Sequence, residues 1–387
     1  TRIEKYEFEN IGMLTRITIP GSVVAIGEKS FYKCSTIKEI DIPASVTIIG
    51  DESFKYCSSL SQITIPSSVK SIGRGIFSKC SSLTQISLSS TLITSIEEEA
   101  FSECSFLTKI ELPPSIKKIS KRAFYQCSSL ENLIIPSSVT TIGNEAFSEC
   151  LKITGMELPI SLNRIHKSVF CNCSSLRFIA IPSSVICIED KAFYNCTFLE
   201  QIEMSSSIKS IGKHAFYQCS SLKEIAIPRL VDSLEDFVFA KCKSLKKIKI
   251  LSPINSIGNN SFEDCSSLTE IIIPQSVQSI GDSSFSGCSS LKEIIIPPSV
   301  QSIGTNIFDK CTSLIKLTIP PSIKNINKNQ TNGINNLQEL TIDPYQTKIG
   351  LNAFLQCRSL KHLIFGPSVT RIEKYEFENI GMLTRIT

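Results

Sequence analysis

The chain contains no tryptophan, three histidines and four methionines among 387 residues. So few imidazoles leave little material for general-base chemistry or histidine-rich metal cages. No stretch approaches the ~18 consecutive apolar residues that a membrane-spanning helix needs. Neither a GxxxxGK[ST] nor a GxGxxG phosphate loop occurs. The net charge of +4 is too small to make nucleic acid an expected partner. The chain opens TRIEKYEFEN, without an initiator methionine, a basic leader or an apolar h-region, so no signal peptide is visible.

What the chain does have is 42% hydrophobic residues, 16 Cys, 21 Phe, 17 Pro and 17 Gly. A buried core is therefore expected, and disorder is not. Length alone suggests several domains of ~150 residues. The spacing says otherwise. Cys recurs at 34, 57, 80, 104, 127, 150, 173, 196, 219, 242, 265, 288, 311 and 357. Every step is 23, except a 24 after Cys80 and a 46 after Cys311. Phe stands three residues before each of these cysteines. The register extends outward to Phe8 with Ile11 and to Phe377 with Ile380, and it counts Thr331 and Ile334 as one degenerate unit. That makes 17 units, with Phe in 16 slots and Cys in 14.

Each unit has a physical reading. LSQITIP, Leu60 to Pro66, alternates apolar and polar, which predicts a short strand. The proline ends ladder pairing, and Pro-Ser-Ser turns the chain. A second short extended run closes at Gly73 and its counterparts, and a tight turn or one turn of 3₁₀ or α-helix carries the Phe and the Cys. One unit cannot bury its own apolar face, whereas stacked units can. The fold expected is a repeat solenoid of about 17 coils of 23 residues, with parallel, in-register short strands ~4.8 Å apart. Residues 1–387 are read as one repeat domain, with the 24-residue unit bulging between Ser89 and Ile96 and an irregular unit at about 325–340. Residues 1–18 and 370–387 are the same string, which suggests excision from a longer chain; a super-repeat and an artefact both remain open.

The unit IPSSVxxIGxxAFxxCSSLxxI resembles the BspA-like leucine-rich repeat. Ile135 to Leu158 and Ile273 to Ile294 carry it most clearly, and the resemblance covers essentially the whole chain. That resemblance implies a surface protein of the kind found in trichomonad-type protists, amoeboid parasites and mucosal anaerobic bacteria. It implies adhesion to host cells, matrix or other microbes. The expected partner is a protein or glycan on a host or microbial surface. No enzyme activity, cofactor, metal or nucleic acid is expected, and the oligomeric state is open. The expected location is extracellular or at the cell surface, with an intracellular interaction scaffold as the alternative.

Strand alternation puts one slot per unit on the outward face. In that slot Ile134, Ile272 and Ile295 stand out among polar residues, and Phe178 lies one strand position away, which makes these four the candidate partner-binding face. Lys241, Lys243, Lys246, Lys247 and Lys249 form a candidate basic patch for sulfated or acidic partners, with Glu97, Glu98, Glu99 and Glu103 as an acidic counterpart. The cysteine column has two readings, metal or disulfide chemistry and plain core filling. The acceptance of Ile334 in the same slot favours the second. Cys171 and Cys187 lie off the column and are either bridged or free. His166, His214 and His362 fall in different slots. Of four N-x-[ST] sequons, at Asn172, Asn195, Asn259 and Asn329, the last is the best glycan acceptor.

Overall fold

A computed structural model describes residues 1–323, 325–326, 328–342, 348–349, 354, 356–365 and 382–387. Residue contacts divide it into two compact units, Thr1–Glu203 and Met204–Thr387. Each is a parallel-strand solenoid, and about 15 turns of roughly 23 residues are formed in total. The sequence register counts 17, and its units centred on Phe354 and Phe377 fall largely outside the described residues. So does most of the second copy of the identical 18-residue string.

In the first unit the Leu-x-x-Ile-x-Ile pieces form the strands Arg16–Thr18, Glu39–Asp41 and Gln62–Thr64. They pair parallel and in register, Ile17 beside Ile40 and Ile40 beside Ile63. Gln85–Ser87 pairs with Lys109–Glu111, and Phe178–Ala180 with Gln201–Glu203. The second extended run builds its own ladders, such as Arg2–Ile3, Ala25–Ile26, Ile48–Ile49 and Ser71–Ile72. Proline lacks the donor to continue a strand, so Pro66 closes one, and its carbonyl accepts the Val69 N–H at 3.1 Å to form the turn. The turn is tied to the preceding coil where Ser68 Oγ donates to the Val46 carbonyl at 2.6 Å. Gly73 is required by close approach: a Cβ there would lie 2.3 Å from the Asp51 nitrogen.

The second unit repeats this plan. Glu224–Ile227 pairs with Lys247–Ile250, and a longer ladder joins Glu293–Ile295, Lys316–Ile319, Glu339–Ile342, His362–Phe365 and Arg385–Ile386. In the degenerate unit Thr331 and Ile334 are buried in the two slots, as the register requires. Lys328–Thr331 forms a four-residue helix, the only one among the described residues.

The segment carrying Phe and Cys is an arc of alternating backbone handedness. Two residues before each phenylalanine, and two after it, φ is positive: Lys29 and Lys33 at 52° and 61°, Glu145 and Glu149 at 57° and 62°. This alternation turns the N–H groups of every second residue towards the next coil. Lys29, Phe31 and Lys33 donate to the carbonyls of Asp51, Ser53 and Lys55 at 2.8, 2.8 and 2.9 Å. The arc is thus a third hydrogen-bonded ladder, and it satisfies backbone groups that would otherwise be buried unpaired. Among the described residues no β-branched side chain occupies a positive-φ position, because a branched Cβ clashes there. A left-handed non-glycine residue costs roughly 1–2 kcal/mol, and glycine relieves it at an entropic cost of about 0.5–1 kcal/mol. Lys310→Gly, at an exposed position with φ 57°, is therefore expected to raise stability by about 0.5–1 kcal/mol. A guanidinium melt with an unchanged or lower midpoint would contradict the arc.

Within each unit the phenylalanine rings stack face to face. Centroids are 5.4 Å apart for Phe31 and Phe54, and 5.5 Å for Phe124 and Phe147. In the second unit they are 5.7 Å apart for Phe239 and Phe262. The extra residue of the 24-residue coil sits before Thr94: the Lys117 N–H still bonds Thr94 at the regular 23-residue offset, whereas Leu92 bonds back to Val69.

Candidate functional site

Alternation along the first strands buries the Ile on one side and presents the next residue to solvent. In the first unit Ile134 is 87% exposed and Phe178 43%. In the second unit Ile272 is 84% exposed and Ile295, in the same slot one coil on, 55%. Ile134 and Phe178 therefore make an apolar surface on the first unit, and Ile272 and Ile295 one on the second.

The first surface is a groove. Lys109 bridges to Asn132, and Gly155 to Phe178, but no backbone hydrogen bond joins 132–136 to 155–159. The face carries two hollows of about 610 Å³ each, one between 108–112 and 131–136 and the other across the interrupted ladder, sharing Asn132 and Ile134. Leu133, Met156, Ile160, Phe178 and Ala180 line one of them. Ile160 is 79% exposed. It stands in the slot that Ser67, Ser137 and Ser183 fill as the first Ser of Pro-Ser-Ser, and the column comparison that found Ile134 would have found it too. Phe106 and Phe198 are also exposed, each in place of the second Ser of Cys-Ser-Ser-Leu.

The lysine run does not gather on one surface. Lys247 and Lys249 lie on the strand Lys247–Ile250, where Lys247 stands beside Glu224 on one side and Glu270 on the other. Lys241 lies in the arc with its ammonium 5.1 Å from the Tyr217 ring centre, and a hydrogen bond to Tyr217 raises its pKa. Lys243 and Lys246 are exposed in the link between arc and strand. Asn329 is exposed within the short helix, while Thr331 of the same sequon is buried.

The histidines remain apart. His166 Nδ1 is 3.4 Å from Glu189. Burial pushes the Glu189 carboxyl up, but the Arg164 hydrogen bond at 2.8 Å and the His166 charge outweigh it and hold the group below its usual range. His214 stacks on Phe237 at 4.7 Å, and His362 lies exposed on a strand. Among the described residues no three His, Cys, Asp or Glu side chains could hold a metal ion.

The cysteine column does more than fill space. Column thiols donate to the carbonyl of the phenylalanine one coil back: Cys57 to Phe31 at 3.2 Å, Cys80 to Phe54 at 3.1 Å, Cys265 to Phe239 at 3.2 Å. That carbonyl also accepts a backbone N–H, for example from Cys34 to Phe31. An alanine would fill the slot but leave the second lone pair empty; the thiol is a small apolar group with a weak donor. Burial pushes the thiols up, to about 12 for Cys104, Cys242 and Cys311. None of the sixteen cysteines is in a disulfide, and only Cys171 and Cys187 are not fully buried. A thiol reagent at neutral pH is therefore expected to label those two in the native chain and all sixteen after unfolding. Rapid native labelling of any column cysteine would refute this burial.

The family described as BspA type leucine rich repeat region matches residues 1–105, 90–200, 141–269 and 255–384. A leucine-rich repeat protein from Bacteroides ovatus is similar in structure, with TM-score 0.65 and 29% identity over 96% of this chain and 91% of its own. A leucine rich cell surface protein from Faecalibacterium prausnitzii matches with TM-score 0.42 and 23% identity, over 100% of this chain and 86% of its own. No curated protein matches the chain.

Proposed function

The chain belongs to the BspA-type leucine-rich repeat family, and from that membership we propose that it is a non-enzymatic adhesin-like scaffold. Its sheet face docks a protein or glycan partner on a host or microbial surface, and the protein acts outside the cell or at its surface. Leucine-rich repeat solenoids are protein-interaction scaffolds in general. The observation that carries the reading is the exposure of large aliphatic side chains on an otherwise polar sheet, which is the mark of a docking surface. Beads coated with the purified chain are expected to attach to epithelial monolayers or to decellularised matrix. The double variant Ile272→Asp with Ile295→Asp is expected to lose at least ten-fold in attachment with its circular dichroism unchanged. Undiminished attachment would remove the second-unit surface from the reading. Attachment by neither protein would remove adhesion itself.

A second reading, an intracellular interaction scaffold, is supported by Cys171 and Cys187, partly exposed and in no disulfide, a state that a reducing compartment preserves. Thiol counting on protein taken from its native source separates the two. No helix among the described residues is long and apolar enough to cross a membrane.

A further inference from the structure

The groove of the first unit carries a charge pattern that identifies its occupant. Glu131, Glu157 and Glu203 stand exposed on or beside the face that Ile134 and Phe178 occupy. Glu203 pairs in register with Ala180 of the groove wall. None of the three makes an ion pair among the described residues. Two nearby cations are already engaged: Lys109 Nζ lies 2.8 Å from Glu111, and Arg177 3.0 Å from Glu200. A chain with a net charge of +4 thus presents a locally acidic rim around an apolar floor. Between the two hollows stands Ile134, lining both.

We propose that this groove binds a cationic peptide segment of a protein partner, one that places an apolar side chain in each hollow and Lys or Arg against Glu131, Glu157 and Glu203. The hollows open between successive coils, so the two apolar anchors stand roughly 5–7 Å apart, the reach of residues i and i+2 in an extended chain. Unpaired carboxylates attract such a segment at long range and fix its register, while the apolar floor retains it. The interrupted ladder borders the hollow lined by Met156 and Phe178. The inference rests on the sheet face being the binding surface, and it adds the class of ligand.

The probe is a fluorescein-labelled peptide of alternating lysine and leucine, read by anisotropy at 20 and 150 mM salt. Two control peptides replace every lysine by glutamate or every leucine by serine. The alternating peptide is expected to bind at least ten-fold more tightly than either control, and more weakly at the higher salt. Ile134→Ser and Phe178→Ser are each expected to weaken it ten-fold. The double variant Glu131→Gln with Glu157→Gln is expected to weaken it several-fold and to flatten the salt dependence. Ile272→Asp in the other unit is expected to leave it unchanged. Equal binding of the glutamate peptide, or indifference to the glutamate-to-glutamine variant, would overturn the proposal. A concentration-dependent dimer abolished by Ile134→Ser would overturn it in favour of a second copy of the chain. Should Ile134→Ser reduce bead attachment while the lysine–leucine peptide fails to bind, the docking face stands and the cationic ligand falls. Peptide binding without bead attachment is the reverse result.

Discussion

Raising the pH from 10 to 11 is expected to lower the stability of the folded chain by about 5 kcal/mol through four cysteines alone. Cys104, Cys242, Cys311 and Cys357 are each pushed up to about 12, with burial the largest cause. In the unfolded chain a thiol ionises near 9. A folded value raised above the unfolded one stabilises the native state fully below the unfolded value. That contribution is lost as the pH rises towards the folded value. The window is therefore pH 9 to 12. Inside it the native state holds protons that the unfolded state has released, and stability falls by about 1.4 kcal/mol per thiol per pH unit. Over the whole window each thiol removes about 4 kcal/mol. The other buried column thiols are raised as well, Cys80, Cys127 and Cys265 well above their usual value, and steepen the fall. Guanidinium melts under reducing conditions at pH 8, 9, 10 and 11 measure the slope. Tyrosines and lysines also titrate here, so Cys242→Ala isolates the thiol share: its slope is expected to be shallower by about 1.4 kcal/mol per pH unit. A midpoint that does not move between pH 9 and 11, or an unaltered slope in Cys242→Ala, would mean that the column is not held as neutral thiol.

That titration bears on how the cysteines were legible. Their period revealed the repeat, and the acceptance of Ile334 in the same slot pointed to a core role, which its burial bears out. The donation from column thiols to phenylalanine carbonyls was not legible, because spacing carries no information about where an S–H points. The outward slot was readable from strand alternation, and Ile134, Ile272 and Ile295 are all exposed. The groove beside Ile134 went unread, because it depends on a missing ladder between 132–136 and 155–159, and the one signal for it was Gly155 at a strand position, where glycine weakens pairing. Sequence reasoning allowed a helical turn around Phe and Cys, and the arc is instead built from alternating left- and right-handed residues. Glycine, the usual marker of positive φ, occupies such positions among the described residues only at Gly75, Gly287 and Gly333. The remaining signal was an avoidance of Val, Ile and Thr two residues either side of the Phe, which is weaker than any single residue. The lysine run looked like one patch because five cations fall within nine residues, but Lys241 lies in the arc and Lys247 and Lys249 on the strand, with a link between them.

Phe262→Ala is expected to destabilise the second unit by about 3–5 kcal/mol. Phe262 is fully buried between two rings of its own column, with centroids 5.7 Å from Phe239 and 5.5 Å from Phe285. Truncation removes both stacking contacts and leaves a void that neighbouring coils cannot close. Their backbones are held by the arc ladder, for instance the Phe262 N–H on the Ser284 carbonyl at 2.8 Å. Phe262→Leu keeps most of the volume and is expected to cost less than half as much. Phe8→Ala, at a half-exposed ring with one stacked neighbour, Phe31 at 5.2 Å, is expected to cost less again. In a solenoid each coil depends on its neighbours, so the loss is local before it is global. Amide exchange is expected to accelerate first at Phe239, Phe262 and Phe285. The same variant tests our proposal that residues 1–387 behave as one repeat domain. A single calorimetric transition shifted as a whole supports it. A split trace, in which Met204–Thr387 melts early and Thr1–Glu203 keeps its midpoint, would show two domains joined at the boundary between Glu203 and Met204.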